Sequence, residues 1–184
     1  MNRRNRLYSL FGLLIVFAFA LSCATSKANK FIDEGNAAVK AGEQLAAEAD
    51  AKINTMAAEL DKFPENRDEL KPTAQEILDR LDKSIAKLRE AASKFDEGSK
   101  TNLDAPLKEY LSLKSQEFNK HAEHLATLKG IPNAVLDASV EDRAALDVKF
   151  AQIKDQVDKL EKEWTDLSDK AEKIQEANKD KFKS

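Results

Sequence analysis

One cysteine, two histidines, one tryptophan, four prolines and five glycines are all that this chain of 184 residues has of the types that most often build sites and turns. With a lone cysteine no intramolecular disulfide can form, and the Cys-x-x-Cys-His sequence that attaches haem is missing. There is no Gly-x-Ser-x-Gly elbow and no glycine-rich phosphate loop, so nucleophilic and nucleotide chemistry have no motif to rest on. Strand-like alternation and Asn-Gly hairpin signals are absent too. Basic residues do not predominate: 30 Lys and Arg stand against 33 Asp and Glu. That balance lacks the concentrated positive surface that nucleic-acid binding needs, and it disfavours adsorption to anionic lipid.

What the chain does have is charge, 34% of its residues, laid out with a helical period. Few aromatics and much charge would suit a disordered chain, but the periodicity excludes that reading. Beyond the first 28 residues, and apart from Gly35 and Gly42, glycine and proline fall in clusters: Pro64 and Pro72, Gly98 and Pro106, Gly130 and Pro132. Proline breaks helix interiors and glycine favours the position past a helix end, so these clusters mark three connections between four helices.

Helix one is predicted from about Asn29 to Phe63, with Asp33 and Glu34 in its first turn and an apolar stripe Ala38, Gly42, Leu45, Ala49, Ile53, Met56, Leu60, Phe63. Small residues in its first half allow a neighbour to approach closely. Helix two is predicted from Thr73 to about Lys94, opened by a Thr73/Glu76 capping box and stopped at Gly98. Helix three starts at Asp104 and Pro106 and carries Leu107, Leu111, Lys114, Phe118, His121, Leu125 and Leu128, a stripe interrupted by two polar residues. Helix four, capped by Ser139 and Asp142, keeps a seam from Leu146 through Phe150, Ile153, Val157, Leu160, Trp164, Leu167 and Ala171 to Ile174. Asp155/Lys159, Asp158/Lys162, Asp166/Lys170 and Asp169/Lys173 are spaced to pair along its other face. The expected fold is all-α: an elongated, coiled-coil-like antiparallel four-helix bundle over residues 29–184. Its long first and last helices should project past the shorter pair as a partial stalk, with both chain ends at one end of the bundle.

The amino terminus reads as an address. Arg3, Arg4 and Arg6 precede an apolar run from Leu7 to Leu21, followed by Ser22 and Cys23, and the first acid is Asp33. The run is shorter than the roughly 20 residues a spanning helix needs, which favours a signal peptide over a retained membrane anchor. Ala20-Leu21-Ser22-Cys23 resembles a bacterial lipobox, with the small residue the pattern requires before the cysteine and Ala20 where the pattern usually has Leu. The resemblance implies cleavage between Ser22 and Cys23, removal of residues 1–22, and lipidation of Cys23, with residues 23–28 as a short tether. It also implies a place in the cell envelope: attachment to the outer membrane or to the outer face of the cytoplasmic membrane, with the domain in the periplasm or on the surface. Ordinary signal cleavage is the alternative. Removing residues 1–22 leaves 27 basic and 33 acidic side chains, so the remainder is more acidic than the whole.

Few residues qualify as a site. Glu117, His121 and His124 lie within two turns of helix three and His121 and His124 are i, i+3 neighbours, so they are the candidates for a metal. A ferritin-like site needs Glu-x-x-His on two helices, whereas histidines occur here on one and Glu117 is four residues before His121. A seam histidine beside a surface histidine is the plainer reading. Met56 and His121, on core stripes of different helices, are the pair a Met/His-ligated four-helix cytochrome would use; an ordinary core thioether is the plainer reading. Trp164 reads as a core anchor or a partner-facing contact, and Tyr110 and Leu113 widen the apolar face of helix three. No catalytic residue and no cofactor are expected. The function expected is that of a non-enzymatic, membrane-anchored envelope lipoprotein whose bundle serves as a spacer or binds an envelope protein or glycan. The alternative is a helical-bundle carrier of a metal, haem or apolar ligand.

Overall fold

The computed structural model describes residues 26–182, and these are all helix and connection, with no strand among them. Cys23 and the signal-like segment, including the Ser22–Cys23 cleavage position, lie outside the described residues. The helices are α1 (Ser26–Glu59, followed by a 3-10 turn at Leu60–Lys62), α2 (Arg67–Ser99), α3 (Ala105–Leu128), α4 (Gly130–Leu136), α5 (Arg143–Ala177) and α6 (Lys179–Phe182). The four long helices run up, down, up and down, as the seams and short connections require.

Several expected boundaries move. Helix α1 starts at Ser26, so Asp33 and Glu34 lie past its first turn. Helix α2 starts at Arg67 and takes Pro72 into its second turn. Proline there loses only its bond to Asp68, a modest loss so near the helix start. The Thr73/Glu76 box therefore does not form, and Glu76 reaches Lys52 of α1 instead. At α5 the cap is Asp142 alone, which accepts the Ala145 amide at 2.8 Å, while Ser139 donates to Asp137. Along α5 the intrahelical pairs are Arg143–Asp147, Lys154–Asp158 and Lys159–Glu163 rather than the four expected Asp-to-Lys pairs.

Helices α1 and α2 are matched in length, 34 and 33 residues, and lie side by side. Their register is fixed by ion pairs along the whole contact: Lys94–Glu34 at 2.8 Å, Arg80–Glu48 at 3.3 Å and Lys52–Glu76. Each step forward on α1 is a step back on α2. Between those pairs the small residues expected of α1 admit large ones from α2. A Cβ on Gly35 would stand 3.0 Å from the Phe95 ring, and one on Gly42 3.2 Å from Leu88. Phe95 in turn stacks on Phe118 of α3, ring centroids 5.5 Å apart, so one side chain joins three helices.

Helix α3 packs on the other side of α2 and then breaks. Pro132 cannot donate to Leu128, and α4 continues from α3 along α2 after Lys129. Helix α5 packs chiefly on α3 and α4; it does not lie along α1, and Arg143 at its start reaches Asp61 in the turn after α1 at 3.8 Å. The expected stalk of α1 and α5 is thus replaced by a bundle left open between them, with α2 as long as α1. The two ends of the described residues meet at one end of the bundle, as expected. A Cβ on Gly98 would lie 3.2 Å from Leu111 and 3.5 Å from Phe31, and Lys181 beyond α5 pairs with Asp104 at 3.3 Å. The starts of α1 and α3 and the ends of α2 and α5 therefore meet there. No described helix is long and apolar enough to cross a membrane.

Candidate functional site

The polar residues that interrupt the α3 stripe converge on the open side of the bundle, where α1 and α5 flank α3. Lys114 donates to Glu117 at 2.7 Å, one turn apart, and both are withdrawn from solvent: 14% of the lysine side chain and 1% of the glutamate remain exposed. Glu43 of α1 approaches this pair, and Ser168 and Glu172 of α5 face Glu117 from the other side. Lys114 also sits over the Phe118 ring at 4.7 Å. Two carboxylates, Glu43 and Glu117, thus act on one ammonium, and a third, Glu172, acts on Glu117.

Their electrostatics follow from burial. Desolvation raises the Glu117 carboxyl above its ordinary value, opposed by Lys114 and reinforced by Glu172. Desolvation likewise raises Glu43 to about 7, again opposed by Lys114 and reinforced by Glu117. The Tyr110 phenol is pushed up by burial and by Glu117 and Glu172, and its ring meets Phe182 edge-on at 5.1 Å. One oxygen of Glu117, Oε1, is buried without a hydrogen-bond partner. The cluster can hold protons, but its only amine is already engaged by a carboxylate, so it presents no free nucleophile.

One and two turns further along α3, His121 stacks on Trp164 of α5, centroids 4.9 Å apart and planes 14° from parallel. His124 lies 5.9 Å from His121. Burial depresses both imidazoles to about 4; the proximity of His124 adds to the effect at His121, and Asp158 opposes it at His124. At neutral pH both rings are uncharged. Trp164 Nε1 and His124 Nδ1 are buried and unpartnered.

The three candidate metal residues share a face of α3, yet they do not converge. Glu117 is turned to Lys114, His121 to Trp164, and among the described residues no group of three or more His, Cys, Asp or Glu is placed to share an ion. Met56 and His121 are not brought together either. Gly35 meets Phe95, which stacks on Phe118, so Gly35 and Phe118 share a level; Met56 is 21 residues beyond Gly35 on α1 while His121 is three beyond Phe118 on α3. At 1.5 Å per residue that leaves them offset by roughly 27 Å along the bundle, too far for one iron. Met56 is 1% exposed, an ordinary core side chain. Leu113 is half-buried beside this seam.

Sequence reasoning did not single out Glu43, Ser168 or Glu172. Glu43 adjoins the stripe residue Gly42 and Ser168 adjoins Leu167, so each sits at the edge of a seam. A carboxylate at a seam edge is the signal that was available. A second concavity, a shallow groove of about 340 Å³ between α1 and α2, is lined by Ala37, Ala38 and Ala41 with Glu34, Lys87, Glu90 and Lys94 around it. Its rim charges are paired, Lys94 with Glu34 at 2.8 Å and Lys87 with Glu90 at 2.6 Å. No family model matches the chain, and no curated protein and no solved structure matches it.

Proposed function

We propose that this chain is a non-enzymatic lipoprotein of the bacterial cell envelope. It would be held on a membrane through lipidated Cys23 and would present its helical bundle as a spacer or as a surface for an envelope protein or glycan. The observation that carries this reading is the order of residues at the amino terminus: three arginines, an apolar run of about signal-peptide length, then Ser22-Cys23. Lipid chains contribute about 0.8 kcal/mol per buried methylene, so several acyl chains on one residue hold a protein firmly. Helix α1 begins three residues after Cys23. An anchor there would hold the bundle by the end where its amino and carboxyl termini meet, and the α1–α2 and α4–α5 connections would point away from the membrane.

The interior supports a non-catalytic role. Its amine Lys114 is engaged by Glu117, and the His121 ring is covered by Trp164. The carrier reading has less support, because Met56 and His121 are at different levels and Glu117, His121 and His124 diverge.

Mass spectrometry of the mature amino terminus, combined with membrane fractionation, tests the proposal. The expected product begins at Cys23, carries acyl chains and sediments with membranes, and C23A is soluble or uncleaved. An unlipidated soluble product beginning elsewhere overturns it.

A further inference from the structure

The α3–α5 contact is built unlike the other long contacts of the bundle. Helix α5 rests chiefly on α3 and α4, and Arg143 at its start also reaches Asp61 after α1 at 3.8 Å, so the helix beyond that residue can leave with the α1–α2–α3 packing in place. The centre of its contact is an imidazole–indole stack, His121 on Trp164, with His124 beside it. Two polar atoms there, Trp164 Nε1 and His124 Nδ1, are buried without partners. Of the nine residues on the α5 seam only Leu146 and Ala171 are fully buried. We propose that α5 is an acid-releasable edge helix: protonation of His121 and His124 frees it from α3 while α1, α2 and α3 stay folded together.

The charge that faces the two rings favours this direction. Across from them α5 offers Asp158, the only carboxylate that favours an imidazolium at His124. Glu161, near Asp158, has its own carboxyl raised by burial, so it is a poor counter-ion. Glu163 is taken by Lys120, at 3.2 Å, and Lys120 also holds Glu123 at 2.6 Å. On α3, Glu117 one turn before His121 is held by Lys114. From α1, Glu43 faces Lys114 and Glu117 rather than the imidazoles. An imidazolium would therefore be buried with one weak partner, whereas in an open α5 it would be hydrated.

The sign follows from linkage. Both rings are depressed in the folded state to about 4 from an ordinary 6.5, so the open state binds protons first as pH falls through 6.5. The carboxylates Glu117 and Glu43 work the other way, since their protonation relieves repulsion in the closed cleft, but Glu43 belongs to α1 and does not hold α5. Two strongly depressed imidazoles against the buried Glu117 and the half-buried Glu161, whose raised carboxyls oppose them, leave net release in acid.

Trp164 is the chain's only tryptophan, so its emission reports this contact directly. The test uses the full chain in a nonionic detergent, titrated from pH 7.5 to pH 4 by fluorescence, with amide hydrogen exchange read by mass spectrometry and corrected for intrinsic rates. The expected result is a red shift with a midpoint between 4 and 6.5. It should coincide with a more than about tenfold loss of protection in α5 between pH 7.5 and 5, with α1 and α2 still protected. H121F/H124L should remove this transition. If that double variant is not folded by circular dichroism at pH 7.5, H121F alone keeps the aromatic stack and should lower the midpoint. Loss of α1 and α2 protection together with α5, quenching of Trp164 without a red shift or exchange, or an unchanged transition in the histidine variants would each overturn the proposal.

Discussion

Ser84 on α2 donates its hydroxyl to the carbonyl oxygen of Gly42 on α1 across 2.7 Å, in a contact that excludes water. The bond exists because Gly42 has no side chain: Leu88, one turn from Ser84, fills the place a Cβ would take. The α1–α2 pair is thus set by a glycine and a hydroxyl as much as by its aliphatic stripe. S84A should cost about 1 kcal/mol, the ordinary net value of such a bond. G42L should cost more, about 2–3 kcal/mol or above, because a branched side chain must displace Leu88 and Lys87 in a filled contact. Urea denaturation of the two variants checks the order; equal effects would mean that the close approach is not what Gly42 provides.

The Lys114–Glu117 pair should behave as buried ion pairs do. Truncating one side, as in K114M, leaves Glu117 buried without its ammonium and should cost about 3–5 kcal/mol near neutral pH. K114M/E117L, with no charge left, should recover most of that loss. The deficit of K114M should also shrink on acidification, because a raised carboxyl is neutral at low pH and its cost appears only as pH rises. Thermal melts at pH 5 and pH 8 measure both effects, and a deficit that does not vary with pH would show that Glu117 is not the group left exposed to the loss.

Glu43 carries a separate pH signature. Its carboxyl is raised to about 7 from an ordinary 4.5, so its stabilising protonated form is fully present below 4.5 and is lost as pH rises through 7. E43Q should match the parent near pH 4.5 and exceed it at pH 8 by about 1 kcal/mol, a figure reduced for the partial solvent exposure of the site. Denaturation midpoints of the two proteins across that range check the divergence; parallel curves would contradict it.

Gly130 is where α5 comes closest to the α3–α4 break. A Cβ there would stand 2.8 Å from Ile153 Cδ1 and 2.9 Å from its Cγ1. G130A should destabilise by about 1–2 kcal/mol despite alanine's better helix propensity, since overpacking outweighs the gain. I153A should be less harmful in the G130A background than alone. A double-mutant cycle measures the coupling, and simple additivity would place Ile153 elsewhere.

Much of this was legible in the residues, and the failures have identifiable causes. The seam from Leu146 to Ile174 marked α5, and the small residues Gly35, Ala38 and Gly42 marked the close face of α1, because side-chain period and size act locally. Pro72 misled: it resembles a helix start, yet Asn66 to Leu70 already form a first turn that the packing of Leu70 against the core makes worthwhile. Thr73 and Glu76 match a capping box, but Lys52, 24 positions away in the chain, claims the glutamate. Glu117, His121 and His124 sit on one face as their spacing says. Whether they converge on an ion depends on Lys114 and on Trp164, whose place opposite His121 follows only from how α5 is laid on α3.

The sequence by itself determined the all-helical architecture, the alternation of directions and the meeting of the two chain ends, because hydrophobic period, turn residues and short connections are local properties. Tertiary structure decided that α5 joins α3 and not α1, that the bundle stays open on that side, and which polar residues the opening gathers. Those outcomes turn on competition among helix faces of similar hydrophobicity, settled by close approaches such as Ile153 over Gly130 and by pairs such as Lys114–Glu117 that join only when distant segments meet.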